Sequence, residues 1–155
     1  MWRGTLLHIH TTPQARAAMV ARHTAHLITG VGVEGDRYAT GTETGTYSGF
    51  PDIRDVTLIE SETLDALIRD HDITLLPVEH RRNLTTKDVP LNHLVGCRFR
   101  VGPVILEGGR LNTPCRYLDM ITGKPVCDLM EHRSGLNCRI VEGGVVTVGD
   151  TIRLA

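Results

Sequence analysis

Cys97-Arg98-Phe99-Arg100-Val101-Gly102-Pro103-Val104-Ile105-Leu106-Glu107 is the stretch on which the fold turns. Its first five residues alternate in polarity, as a strand with one buried face must. Gly102-Pro103 is turn chemistry, and Val104 to Glu107 returns as a second strand, so the piece reads as a hairpin. Downstream, Arg139-Ile140-Val141-Glu142, a Gly143-Gly144 turn and Val145-Val146-Thr147-Val148 read as another hairpin. Gly149-Asp150 leads into a last strand over Thr151-Ile152-Arg153-Leu154.

Working outward, Gly4 to His10 and Asp55-Val56-Thr57-Leu58-Ile59 read as further strands. Helices are fewer. Pro13 suits the first turn of an Ala- and Arg-rich helix reaching Leu27. Ser61 is placed to cap a helix through Leu64, Leu67 and Ile68, and Pro77 blocks its continuation. Two short helical pieces are expected, from Pro114 to Met120 and from about Lys124 to His132. Gly30 to Pro51 is a loop dense in Gly and Thr. Many short strands with a few inserted helices predict a mainly β fold, a compact closed β-barrel, rather than a parallel βαβ sheet.

The 155 residues fit one domain, residues 1–155, with no repeat or linker to divide them. A formal charge of −1, from 17 basic and 18 acidic residues, argues against binding a nucleic-acid polymer. No stretch has the apolar length to span a membrane, and the N-terminus does not read as a signal peptide. The four cysteines contain no C-x-x-C pair and predict a reduced, cytoplasmic setting. No two of them lie closer than eleven residues, which argues against structural zinc. Only Lys87 and Lys124 are lysines; the other fifteen basic residues are arginines. Arginine suits bidentate recognition of phosphate and carboxylate, although a compositional bias produces the same excess.

Gly30-Val31-Gly32-Val33-Glu34-Gly35 matches G-x-G-x-x-G letter for letter. The dinucleotide fingerprint needs a helix directly after it, and the following Asp36 to Gly45 is too rich in Gly and Thr. Read instead as Gly35-Asp36-Arg37-Tyr38, the segment is a turn carrying an Asp and an Arg side by side. In Glu79-His80-Arg81-Arg82-Asn83-Leu84, adjacent arginines repel unless an anion or acidic neighbours share them. An extended chain there would point Arg81 and Arg82 in opposite directions, with Asn83 on the side of Arg81. On their own residues both segments read as solvated surface.

Leu111-Asn112-Thr113-Pro114-Cys115-Arg116-Tyr117-Leu118 is the most pointed segment. Asn112 or Thr113 can cap, Pro114 takes the first helical position, and Cys115 falls in the first turn. The helix N-terminus and Arg116 then favour the thiolate, the form that attacks sulfur or binds metal. Cys97 and Cys138 lie in strand text and read as small buried apolar residues. Nothing near Cys127 activates it.

Taken in order, Gly32 to Tyr38, Asp55 to Glu60, Arg81 to Leu84, Leu94-Val95-Gly96, Pro114-Cys115 with Leu118, Arg133 to Leu136, and Gly149-Asp150 resemble the MOSC family, in its short free-standing bacterial form. That family is named for the C-terminal domain of molybdenum-cofactor sulfurases. The resemblance implies a pyruvate-kinase-barrel-like β-barrel that binds molybdenum cofactor, with Cys115 as the molybdenum ligand or sulfur carrier. Gly35, Asp36, Arg37, Arg81, Arg82, Asn83, Thr113 and Arg133 are the implied cofactor-binding residues. As a metal ligand, Cys115 would serve an oxidoreductase acting on N-hydroxylated substrates, which the short members favour. As a persulfide, it would serve a sulfur carrier for cofactor or metal-sulfur assembly. A non-enzymatic cofactor-delivery module is the third reading. The chain lacks a fused desulfurase, so a separate cysteine desulfurase or electron-donor protein is implied. Arg37, Arg82, Cys115 and Arg133 are expected around one opening at the mouth of the barrel.

Overall fold

The alternation quoted above is realised side chain by side chain. In the computed structural model, which describes residues 1–39 and 53–155, Phe99, Val101, Val104 and Leu106 are fully buried while their neighbours face outward. The strands in chain order are β1 (Gly4–Thr11), β2 (Val20–Arg22), β3 (Thr24–Ile28), β4 (Gly32–Val33), β5 (Val56–Glu60), β6 (Leu84–Lys87), β7 (Arg98–Val101), β8 (Val104–Leu111), β9 (Leu136–Glu142), β10 (Gly144–Thr147) and β11 (Thr151–Leu154). Two α-helices, α1 (Ser61–His71) and α2 (Arg116–Thr122), join them.

Strands β11-β7-β8-β9-β5-β6-β1 form a ring, closed by Gly4↔Ile152 and Thr5↔Thr151 between β1 and β11. This is a closed seven-strand barrel. Every pair in the ring is antiparallel except β5 with β6, which run parallel because α1 carries the chain across between them. Leu6, Ile9, Val56, Leu58, Leu84, Phe99, Leu106, Leu136 and Ile152 fill the interior. A second apolar cluster lies outside the wall. There Ile59 of β5 packs with Leu64 and Leu67 of α1, Leu118 of α2, and Val126 and Met130. β5 is therefore buried on both faces, and its text Val-Thr-Leu-Ile is correspondingly almost unbroken in apolar character.

Several expectations are corrected. Residues 13–27 form no helix. Val20–Arg22 adds to the end of β1, and Thr24–Ile28 pairs with β10 and β4. The period in Thr24 to Leu27 is two, with Ala25 and Leu27 buried and Thr24 and His26 exposed, so tertiary pairing overrides the helical propensity of alanine and arginine. The hairpin expected across Gly143-Gly144 does not form. Both edges of β9 are already taken by β5 and β8, so β10 pairs with β3 in a separate three-stranded sheet. Helix α1 starts one residue earlier than expected: Glu60 is its N-cap, and Ser61 is its first residue. From Lys124 to His132 there is one 3-10 turn, Asp128–Met130. The carboxylate of Asp119 accepts the Val126 and Cys127 N–H groups at 2.9 and 2.8 Å and shapes the approach to it. After Gly30 to Gly35 the chain turns without a helix, which agrees with rejecting the dinucleotide fingerprint. The part of the Gly- and Thr-rich loop from 40 to 52 lies outside the described residues.

Candidate functional site: an arginine-lined cleft

The register of the wall builds the floor of a cleft. Arg110 of β8 stands beside Asn137 of β9, which stands beside Thr57 of β5. Val56, Leu58, Leu136 and Cys138 point into the barrel, so alternation turns Thr57 and Asn137 outward. The cleft, about 260 Å³, therefore opens on the outer face of the wall and not in the barrel mouth. Loops roof it from three sides: Arg37-Tyr38 after β4, Arg81-Arg82 before β6, and Thr113 to Leu118 running into α2.

Among the described residues, five arginines line this cleft, Arg37, Arg54, Arg81, Arg82 and Arg110, and no carboxylate does. Their crowding is partly relieved by π faces and one buried acid. Two guanidinium groups approach the Tyr38 ring, with Arg37 4.6 Å and Arg54 5.7 Å from its centroid. Asp36 is buried beneath, 3.3 Å from Arg37 Nη1, and also accepts the Thr12 N–H at 3.1 Å. Burial and the nearby Arg37 charge hold Arg81 below the ordinary arginine value. Arg81 Nη1 donates to the Ala17 carbonyl, yet its Nε is buried with no partner among the described residues. The Tyr117 hydroxyl, also lining the cleft, is buried and unpartnered in the same way. A ligand bearing acceptor oxygens would satisfy both donors. These residues fit an anionic group.

Cys115 is half-buried at the edge of this space. It is the N-cap of α2, with extended backbone angles, and not a residue of the first turn. Pro114 consequently sits outside the helix. The expected assistance from Arg116 is redirected, because that guanidinium donates to Asp128 at 3.0 and 3.2 Å and lies 3.5 Å from Asp119. Cys138 is fully buried, and desolvation pushes its thiol far above the usual range. Cys127 is buried and its thiol is raised for the same reason.

Of the residues singled out from sequence, the cleft gathers Arg37, Arg81, Arg82, Thr113 and Cys115. Gly35, Asp36, Asn83 and Arg133 are not among its lining. Gly35, at φ 80°, shapes the turn before Arg37. Asn83 is structural: its Oδ1 accepts the Thr57 N–H and hydroxyl at 3.1 and 3.2 Å, and its Nδ2 donates to the His10 carbonyl at 3.2 Å. Arg133 turns to the other flank, donating to the Leu129 carbonyl at 3.1 Å and lying 4.0 Å from Asp70. Nor do Arg81 and Arg82 face opposite ways. Arg81 has φ 70°, which breaks the alternation of an extended chain and brings both into one space. Sequence reading missed Arg54, Arg110, Tyr117 and Asn137. The alternation of β8 and β9 carried the only signal for two of them.

Among the described residues no cluster of three or more His, Cys, Asp or Glu is placed to hold a metal ion, and no helix is long and apolar enough to cross a membrane. The structure is similar to the crystal structure of the YuaD protein from Bacillus subtilis, with a TM-score of 0.81 at 17% identity over 98% of this chain and 97% of that one. It is also similar to YiiM from Geobacillus stearothermophilus, with a TM-score of 0.71 at 12% identity over 98% and 75%. YiiM from Escherichia coli gives 0.66 at 18% identity over 100% and 70%. No curated protein matches the chain by sequence. The family model that matches is that of the MOSC domain, over residues 45–153. With its barrel, its ordered motifs and that match together, the chain belongs to the MOSC domain family.

Proposed function

We propose that the cleft binds molybdenum cofactor, an anionic pterin dithiolene phosphate, with the Cys115 thiol directed to its metal. The observation that supports this reading is the convergence, among the described residues, of one half-exposed thiol with five arginines and no acid in a single cleft. Arg81 Nε and the Tyr117 hydroxyl would donate to oxygens of the phosphate. Arg37, Arg54 and Arg110 would supply positive potential. The outer wall and Leu118 exclude water from one side. Bound molybdenum supplies two-electron redox chemistry. The net reaction proposed is reduction of an N-hydroxylated base, R–NHOH + 2H⁺ + 2e⁻ → R–NH₂ + H₂O, with electrons from a separate donor protein.

The half-exposure of Cys115 favours a second reading of the same thiol, as a persulfide-bearing sulfur carrier loaded by a cysteine desulfurase. Expression in a cofactor-competent host, followed by molybdenum and sulfane-sulfur analysis of wild type and Cys115→Ser, separates the two. Stoichiometric molybdenum lost in the serine variant supports the ligand role. A cyanide-labile sulfur on Cys115 without molybdenum supports the carrier. Neither molybdenum nor labile sulfur in wild type refutes both.

A further inference from the structure

Glu79-His80-Arg81-Arg82 holds two adjacent cations, and an extended chain would separate them to opposite faces. Both nevertheless line one cleft, because Arg81 adopts the left-handed region at φ 70°. A non-glycine residue there is held by its surroundings. The ring of His80 does the holding. Its Nδ1 accepts the Arg82 N–H at 2.9 Å, closing a side-chain turn over Arg81. An accepting nitrogen carries no proton, so the proton is on Nε2, which donates to Thr85 Oγ1 at 2.8 Å. Arg82 Nη1 returns to the His80 carbonyl at 2.8 Å, and Arg37 Nη2 donates to the Arg81 carbonyl at 3.2 Å. His80 itself is completely buried and does not line the cleft.

We propose that His80 is a positioning residue of the cleft, its ring clasping the Arg82 N–H so that Arg81 is presented to the anion while Arg82 is held in the cleft wall. This rests on the reading of the cleft as an anion site. The surroundings of His80 hold its ring neutral, so the clasp stays closed until the pH falls below the ordinary histidine range. The ring of His10 on β1 meets it edge-on at a centroid distance of 6.1 Å, with His8 a further 6.1 Å from His10. The groups whose charge reaches His80 are Arg82, His10 and His8, and none is acidic. His10 Nδ1 is buried without a partner among the described residues. A proton on His80 Nδ1 removes the acceptor for Arg82 N–H and adds a cation beside cations. The turn then opens. An arginine cleft without this device binds a permanent dianion at least as tightly as pH falls; the clasp predicts the reverse.

Sulfate is a suitable probe, because it stays a dianion through mild acid, below as well as across the ordinary histidine range of about pH 5 to 8. Calorimetric titration of the whole chain with sulfate is expected to show affinity falling on acidification. In His80→Asn the amide oxygen can stand where Nδ1 stood, so affinity at neutral pH is retained within about threefold and the acid loss flattens. In His80→Gln the amide reaches Thr85 instead and leaves Arg82 N–H unmet, so sulfate affinity falls by about tenfold, the equivalent of one lost hydrogen bond. A wild type that binds no sulfate removes the anion cleft itself. A wild type that binds sulfate without losing affinity in acid, an Asn variant that keeps the full acid dependence, or an Asn variant that binds no better than the Gln variant overturns the role of His80 alone.

Discussion

Arg82 Nη2 donates to Ser134 Oγ at 2.6 Å, and Arg82 Nε donates to the Ser134 carbonyl at 3.1 Å, across fifty-two positions of sequence. The same Nη2 reaches Asn112 Oδ1 at 2.8 Å. The planar fork is thus engaged by the protein, tying the 80–82 turn to the end of β8 and the start of β9. Arg82 shapes the cleft more than it grips a ligand.

Arg82→Lys keeps the charge but can satisfy only part of this acceptor set. The loss expected is about 1–3 kcal/mol of stability, together with weaker anion binding. Chemical denaturation alongside cofactor content checks it. A lysine variant of unchanged stability that still loses cofactor would mean the fork acts on the ligand directly.

Asp36 and Arg37 form a buried pair, their side chains 1% and 7% exposed. Asp36→Ala leaves a guanidinium without its buried counter-charge and the Thr12 N–H without its acceptor. A cost of about 3–5 kcal/mol follows. Equilibrium urea unfolding reads it. A cost under about 1 kcal/mol, the size of a surface pair, would show that Arg37 is compensated elsewhere.

The cysteines are expected to divide by burial. Cys115 is half-exposed, whereas Cys138 is fully buried with its thiol pushed far up by desolvation and by Asp55. Iodoacetamide at neutral pH should modify Cys115 well before Cys138, as peptide mass spectrometry over time would show. Cys115→Ser places a good N-cap at the head of α2, so stability should hold or rise by up to about 1 kcal/mol. Cys138→Ser buries a new hydroxyl and should cost about 1–3 kcal/mol.

Stability should fall in mild acid. Burial lowers the affinity of His10 and His80 for protons in the folded state, below the ordinary value of 6.5. The unfolded chain therefore binds more protons below that pH, and stability is lost as pH drops through 6.5 toward the folded values. Each histidine contributes up to about 1.4 kcal/mol per pH unit within that window. Thermal unfolding of wild type and His80→Asn across it tests the sign: the wild type should lose more on acidification. Parallel curves would mean that His80 is not held neutral.

Much of the wall could be read directly. Period-two alternation in β7, β8 and β11, with turns at Gly102-Pro103 and Gly149-Asp150, declares strands because each residue's neighbours in sequence decide which face it shows. The MOSC motifs likewise marked Arg37, Arg81, Arg82 and Cys115, which the cleft brings together. Residues 13–27 misled, since alanine and arginine carry helical propensity while partners far along the chain decide pairing. Gly143-Gly144 misled for a related reason: a turn signal cannot tell whether the edge it points to is already occupied.

By itself the sequence determined a mainly β chain, the faces of β7, β8 and β11 with their turns, and three arginines and a cysteine that line the cleft. Only the tertiary structure decided which strands pair, that the cleft lies on the outer wall, that Arg133 and Asn83 stand outside it, and that Arg110 and Tyr117 stand within. Those outcomes depend on register and on one left-handed residue, Arg81, held by His80. Both are set by hydrogen bonds between positions remote in sequence, and local pattern carries no information about them.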